Sequence, residues 1–308
     1  MSAIAVAIGP ADTDAALVRL GELSGRADLI ELRLDMMGSY DLPVLAAAQG
    51  PPLLITNRAR AEGGFADGGP DERLRPLRQA IELGCAYVDV EADLYPLLGE
   101  RGGTKIVVSE HDFNSTPPDL ESRFERLAAL GADITKIAVL PQRPGEALRP
   151  LEILARATGP TVAIAMGPLG LVSRVAALRF EECAFTYATA DDDAGTAPGQ
   201  IPVSRMQGAF RAGSISPATQ LFGQFGGGSR TLWLAARVTR LLANAGCDGV
   251  CIPLEPELSE DESLLRLAGL GFAGFWEVGG YCFDPSGART GGRAVDPEEA
   301  AGLLGRLA

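Results

Sequence analysis

The sequence predicts an α/β protein, with a (β/α)8 barrel over residues 1–213 and a second, smaller α/β unit over residues 216–308. Three observations carry this expectation. Short apolar, β-branched runs alternate with longer helix-period segments as far as Gly213. Eight such runs fit within that stretch, which suits a compact barrel better than an open sheet. No Gly-x-Gly-x-x-Gly follows the first run, which argues against a dinucleotide fold.

In order, the predicted strands are Ile4–Ile8, Leu29–Leu34, Leu53–Asn57, Tyr87–Val90, Lys105–Ser109, Ile134–Val139, Thr161–Met166 and Phe185–Ala188. Amphipathic stretches at Asp71–Leu83, Leu120–Leu130, Leu151–Ala157 and Val172–Phe180 are long enough for crossover helices, and one helix after each strand is expected. After residue 213, the runs Gln220–Gly223, Cys247–Leu254 and Gly271–Phe275 repeat a strand-helix-strand-helix-strand rhythm.

Composition narrows the function. Hydrophobic residues make up 46% of the chain, enough for a sizeable core, and the net charge of -13 disfavours binding to a phosphate backbone. Nucleic acid is therefore not an expected partner. The N-terminal segment has no basic leader and no stretch reaches about 18 uninterrupted apolar residues, so a cytoplasmic protein without a membrane partner is expected. Five scattered cysteines and one histidine offer no plausible zinc set, and buried thiols are the default. Asp191-Asp192-Asp193 reads as a solvated acidic loop, because its spacing is not that of a cation site.

Against 25 arginines the chain holds only two lysines and one histidine. Lys136 and His111 each stand at the polar end of an apolar run. A snorkelling lysine is the plain structural reading of Lys136. Chemistry gives a stronger one, since a desolvated ammonium can shed its proton and attack a carbonyl, whereas a guanidinium stays charged. In a barrel the C-terminal strand ends face one site, and here they carry Glu31, Arg33, Asp35, Arg58, Glu62, Glu91, His111, Lys136, Met166 and Tyr187.

Lysine beside histidine suits imine chemistry on a ketone: the iminium acidifies the adjacent C–H, the imidazole removes that proton, and a β-hydroxyl then leaves. Glu62 is the candidate to orient the imidazole, and Arg174 the candidate clamp for a substrate carboxylate. Lys136 is expected to lie among cationic and apolar neighbours that favour the free amine.

Six motifs in order then carry a family resemblance: Glu31-Leu32-Arg33-Leu34-Asp35; Arg58 to Gly64; Ser109-Glu110-His111-Asp112-Phe113 with Thr116-Pro117; Ala132 to Ala138; Met166 to Gly170 through Ser173-Arg174; and Ala197 to Ile201. The series resembles type I 3-dehydroquinate dehydratase. The resemblance implies a lyase of the shikimate pathway and aromatic amino acid biosynthesis. Its substrate would be 3-dehydroquinate, converted to 3-dehydroshikimate by syn dehydration through a Schiff base, without metal or cofactor. It implies that Lys136 forms the imine, His111 is the acid/base and Glu62 its partner. Glu31, Arg33 and Arg58 match residues that hold ring hydroxyls and the charge network, and Arg174 matches the carboxylate clamp. Gln200 matches the lid residue, and Phe113, Met166 and Tyr187 match wall positions. Thr196 stands where Ser is usual in the lid, Asn57 where an aromatic is common, and Ile164 where Met is usual; these departures bear on packing or affinity rather than chemistry. A homodimer is compatible with this reading.

The tail resembles the substrate-binding domain of shikimate dehydrogenase. Its functional positions there fall on Leu232-Trp233-Leu234-Ala235 and Val238-Thr239, and no lysine follows Lys136, so a non-catalytic remnant is expected. No nucleotide-binding domain is expected within these residues, and Gly226-Gly227-Gly228 reads as a turn. Two alternatives stay open: a metabolite-sensing homologue that has lost catalysis, and a dehydratase acting on a related ring acid in a secondary or quinate-catabolic pathway.

Overall fold

The computed structural model describes residues 3–191, 195–226, 228–277, 282–284, 286 and 297–305. Eight parallel strands form the first sheet: β1 (Ala3–Ile8), β2 (Leu29–Arg33), β3 (Leu53–Thr56), β4 (Tyr87–Glu91), β5 (Lys105–Asp112), β6 (Ile134–Val139), β7 (Thr161–Ala165) and β8 (Phe185–Ala188). Each pairs with its sequence neighbour, and β8 returns to lie beside β1. The ring closes only at the start of β7, where the Thr161 N–H donates to the Glu182 carbonyl at 2.7 Å and its carbonyl accepts from Ala184 at 2.9 Å. It is a nearly closed (β/α)8 barrel.

Period-two alternation divides the strand residues between two cores. Ile4, Val6 and Ile8 face the helices, whereas Ala5, Ala7, Leu29, Leu54, Val107, Val162 and Phe185 fill the barrel interior. The helices are α1 (Thr13–Leu23), α2 (Leu42–Ala46), α3 (Pro70–Glu82), α4 (Leu120–Ala128), α5 (Arg149–Leu154), α6 (Leu171–Ala176) and α7 (Val203–Phe210). Local chemistry sets their starts. Asp12 caps α1 by accepting the Ala15 N–H at 2.9 Å. α3 opens on Pro70, and Glu72 reaches back to the Gly69 N–H at 3.0 Å.

The expectation of one helix per strand fails after β4. Only a single 3-10 turn, Tyr95–Leu97, joins it to β5. Pro96 and the glycines at 99, 102 and 103 leave too little uninterrupted sequence for a helix. The expected helix Leu151–Ala157 lies earlier, at Arg149–Leu154, and Val172–Phe180 is a short α-helix continued as 3-10 through Arg179.

The tail contributes β9 (Gln220–Phe225), α8 (Gly228–Asn244), β10 (Gly249–Leu254), α9 (Asp261–Gly269), β11 (Phe272–Glu277), β12 (Cys282–Phe283) and α10 (Pro297–Leu304). These four strands form a second sheet in the order β10-β9-β11-β12, with β12 antiparallel. One face packs under α8 and α10 through Phe222, Val238, Leu242 and Trp276. The other face, with Leu221, Phe225, Val250, Ile252, Phe272 and Phe275, belongs to the same continuous core as the barrel strands and helices. Arg266 on α9 reaches Glu152 on α5 at 2.7 Å, and Arg179 donates to the Thr219 carbonyl at 3.1 Å. Leu232 to Ala235 and Val238-Thr239 lie inside α8, where Leu234, Ala235 and Val238 are buried in its core contact. Of the glycine run, Gly227 lies outside the described residues, as do Asp192 and Asp193 of the acidic run; Asp191 is ion-paired to Arg26 and accepts the Ser204 N–H. Among the described residues, no helix is long and apolar enough to cross a membrane.

Candidate active site

The twelve residues expected to catalyse or bind substrate line one cavity at the C-terminal mouth of the barrel, joined by Ala138, Ile164 and Ala197, whereas Asp35 and Glu91, also at strand ends, do not line it. Strand register places them at neighbouring levels. Glu91 pairs with Ser109 and Ser109 with Lys136, so the chemistry of β4, β5 and β6 converges at one height.

Lys136 is 4% exposed. Its ammonium donates to Asp89 Oδ2 at 2.8 Å and to the Tyr187 hydroxyl at 2.8 Å, and it stands 3.5 Å from Glu31 Oε1. The expectation of cationic neighbours is therefore corrected: its direct partners are two carboxylates and a phenol. The reason is geometric. Inward-facing positions of β2, β4 and β8 all point at the inward-facing lysine of β6. Tyr187, expected as a wall, contributes its hydroxyl as well as its ring, and burial holds that phenol well above its ordinary pKa.

Asp89 is the site residue that sequence reading missed. Its side chain is wholly buried, with Oδ1 accepting from Arg58 Nη2 at 2.6 Å and from Ser109 Oγ at 2.6 Å while Oδ2 holds Lys136. Burial opposes its charge, but Arg58 and Lys136 outweigh that and keep the carboxyl below its usual range. The signal was present: Glu91 was noted at the strand end, and alternation puts residue 89 on the same inward face.

Arg58 is the hub of the charge network. Besides Asp89 it lies 3.3 Å from both Glu91 and Glu62, and it donates to Ser109 at 2.8 Å. Burial opposes its charge, yet these carboxylates hold it firmly protonated. Arg33 forms a two-pronged pair with Asp35 at 2.8 and 2.7 Å, and Asp35 also accepts the N–H groups of Arg58 and Phe65, tying the end of β2 to the loop after β3. Glu31 accepts from Thr56 at 2.7 Å. Asn57, one of the departures, turns outward and donates to the Arg73 carbonyl at 3.0 Å.

His111 and Glu62 form the second element. Glu62 Oε2 lies 2.9 Å from His111 Nδ1, 3.1 Å from the His111 backbone N–H and 3.3 Å from Arg58 Nη1. Oε2 already accepts from the His111 backbone N–H and from Arg58, so with that oxygen unprotonated its contact with Nδ1 puts the ring proton on Nδ1 and leaves the Nε2 lone pair free. Burial, reinforced by Arg58 and Lys136, holds the imidazole well below its usual value, so it is neutral. Burial pushes the Glu62 carboxyl up to about 8, against the pull of Arg58. A neutral acid with its proton on Oε1 satisfies both shifts and the geometry. Phe113 stacks beside the imidazole, with ring centroids 6.2 Å apart.

Arg174 faces the same cavity from α6. It is 1% exposed, and among the described residues it has no carboxylate partner, Nη2 reaches the Pro198 carbonyl alone at 3.3 Å, and Nε has no hydrogen-bond partner. Burial lowers it to about 10. A buried guanidinium without a counter-ion is a site prepared for an anion. Pro198 belongs to the loop over the cavity, in which Gln200 turns back on Thr196, accepting its N–H at 3.0 Å and donating to its hydroxyl at 3.4 Å. At Gly199, φ is +74°, and a Cβ there would stand 2.0 Å from the Gly167 carbonyl oxygen, so the loop lies directly on the turn after β7.

A sequence profile of type I 3-dehydroquinase matches residues 4–217. This chain belongs to that family. Among relatives of the dehydroquinase, the chain is 34% identical over 212 residues to the chloroplastic bifunctional 3-dehydroquinate dehydratase/shikimate dehydrogenase of Arabidopsis thaliana, an alignment covering 65% of this chain and 35% of that protein. It is 37% identical to the 3-dehydroquinate dehydratase of Pyrobaculum aerophilum, covering 61% of this chain and 64% of that one. The match thus spans less than two thirds of either relative. Among solved structures, the type I 3-dehydroquinate dehydratase of Clostridium difficile, carrying covalently modified comenic acid, superposes with a TM-score of 0.58 at 27% identity, over 67% of this chain and 89% of that one. The dehydroquinate dehydratase and shikimate dehydrogenase structure from S. pombe covers 90% of this chain and 56% of its own, with a TM-score of 0.58 at 23% identity, a likeness of fold that reaches into the tail.

Proposed function

We propose that the barrel, residues 1–213, is a 3-dehydroquinate dehydratase that works through a Schiff base on Lys136. The observation that carries this is the enclosed Lys136 sharing one cavity with a neutral His111 and an Arg174 that has no carboxylate partner among the described residues. Arg174 receives the substrate carboxylate, while Glu31, Arg33 and Arg58 meet the ring hydroxyls. After proton loss, the lysine amine adds to the ketone, and departure of water leaves the iminium. His111 Nε2 removes a proton from the adjacent carbon, giving an enamine, and Glu62 steadies the imidazolium formed. That imidazolium returns the proton to the leaving β-hydroxyl, which departs as water. Water then hydrolyses the conjugated iminium, releasing the enone and the free lysine. Thr196 and Gln200 hold the loop over the reaction, and Phe113, Met166 and Tyr187 form the walls.

Residues 216–308 carry our second reading, a shikimate-dehydrogenase-like remnant without redox chemistry. The fold likeness to the two-enzyme structure from S. pombe supports the ancestry, and the absence of lysine after Lys136 supports the loss of activity.

The experiment is reduction with borohydride in the presence of 3-dehydroquinate, together with ultraviolet detection of the conjugated enone. The expected result is one covalent adduct, on Lys136 rather than Lys105, in a protein that forms the enone. An active protein with no adduct, or an adduct on Lys105, overturns the mechanism.

A further inference from the structure

A second cavity, of about 290 Å³, lies where the tail meets the barrel. On the barrel side it is lined by Pro168, Leu169 and Leu171, and on the tail side by Leu232, Leu254 and Glu255. These tail residues stand beyond or at the C-terminal ends of the parallel strands β9 and β10, the edge at which open α/β sheets take ligands. The size is near the lower end of small-molecule pockets, about 300 Å³, and suits one ring with a short substituent.

Its chemistry is lopsided. Apart from Thr231 and the backbone of Gly226, the lining among the described residues is proline, leucine and valine, with Glu255 its one charged group. No hydrogen bond or ion pair engages the Glu255 side chain among the described residues. Burial and the neighbouring Glu257 push its carboxyl above the ordinary range, an environment that a cation would relieve.

The barrel wall of this cavity is also the back of the active site. Pro168, Leu169 and Leu171 belong to the segment between β7 and Arg174. The front of that segment holds the loop: the Gly167 N–H donates to the Pro198 carbonyl at 3.0 Å, and Arg174 Nη2 meets the same oxygen at 3.3 Å. Inside the segment, Ser173 Oγ accepts the Ala165 N–H at 3.0 Å and donates to the Gly170 carbonyl at 2.9 Å, so it moves as a unit. The contact of Gly199 on Gly167 leaves no slack, and a displacement at the back must shift Arg174, the loop or both.

We infer that this cavity is a second small-molecule site for a compact apolar amine, its ring among the leucines and its ammonium on Glu255, and that occupancy changes the affinity of the barrel for substrate. The coupling rests on the dehydratase reading; the binding does not.

Benzylamine is the probe, with benzyl alcohol and benzoate as its neutral and anionic counterparts, measured on the full chain by calorimetry without substrate. We expect saturable binding of benzylamine at least fivefold tighter than of benzyl alcohol, and none of benzoate, the preference that one partly exposed ion pair supplies. Glu255→Gln should erase the preference for the amine, and Leu232→Trp, which fills the cavity from the helix surface, should weaken binding at least tenfold. In the dehydratase assay, saturating benzylamine should move KM at least twofold with kcat unchanged. No saturable binding, or binding unaltered in both variants, overturns the site; binding with unchanged KM overturns the coupling. A protein that does not turn over 3-dehydroquinate defeats the functional reading instead, while the calorimetry still decides the site.

Discussion

Replacing Arg174 by methionine should make the protein more stable and nearly inactive. The guanidinium is 1% exposed, has no carboxylate partner among the described residues and is lowered to about 10 by burial. At about 1.4 kcal/mol per pH unit, holding that charge in the folded state costs on the order of 3 kcal/mol. The sign follows from the direction. A cation whose folded value is depressed destabilises the fold throughout the range below about 10, and the penalty fades only above it. Methionine fills a similar length without charge, so most of that cost disappears at pH 7, and the melting temperature should rise by about 3–5 °C. The substrate pays the opposite way. Two charge-assisted hydrogen bonds to a carboxylate in a dry cavity are worth roughly 3–4 kcal/mol, so kcat/KM should fall about 100- to 1000-fold. Thermal denaturation and enone absorbance read the two effects on one sample. A variant no more stable than wild type would show that the charge is already compensated, and one that keeps kcat/KM within threefold would show that Arg174 is not the clamp.

Three further substitutions probe the remaining parts. His111→Ala should lower kcat by about two to four orders of magnitude, measured by enone formation, while borohydride still traps part of the lysine adduct. Because the Glu62 carboxyl is raised to about 8, it is neutral below that pH and anionic above it; the anion supports the imidazolium, so kcat/KM should climb through a one-proton step near 8. Glu62→Gln should abolish that step, and a profile flat from pH 7 to 9 in the wild type would refute the assignment. Gly199→Ala adds a methyl where only 2.0 Å is free and demands a positive φ, so KM should rise at least tenfold from a displaced loop, with the far-ultraviolet dichroism unchanged.

Much of this was legible in the sequence because the barrel writes its inward face at period two and its helices at period 3.6. Three features escape a reading of local sequence. Asp89 sits between valines in a strand that reads as core, and its meaning appears only when Arg58 from β3 and Lys136 from β6 meet it across the ring. The partners of Lys136 were misjudged for the same reason: which charges face it depends on strand order and register, to which local sequence is blind. The missing helix after β4 follows from the breakers Pro96 and its following glycines, which outweigh the strand-helix rhythm of the rest of the barrel. The departures sort by direction: Asn57 points away from the cavity, whereas Ile164 and Thr196 line it.

The apolar face that the second sheet turns toward the barrel has a thermodynamic consequence. Leu221, Phe225, Val250, Ile252, Phe272 and Phe275 share one continuous core with the strands of the barrel and the helices outside them. A region whose inner face is another region's outer packing cannot melt by itself without exposing both. Barrel and tail therefore unfold as one cooperative unit, with a single calorimetric transition, and their amides exchange together. The tail then sets the lifetime of the active site from a distance, through the unfolding barrier it shares with it.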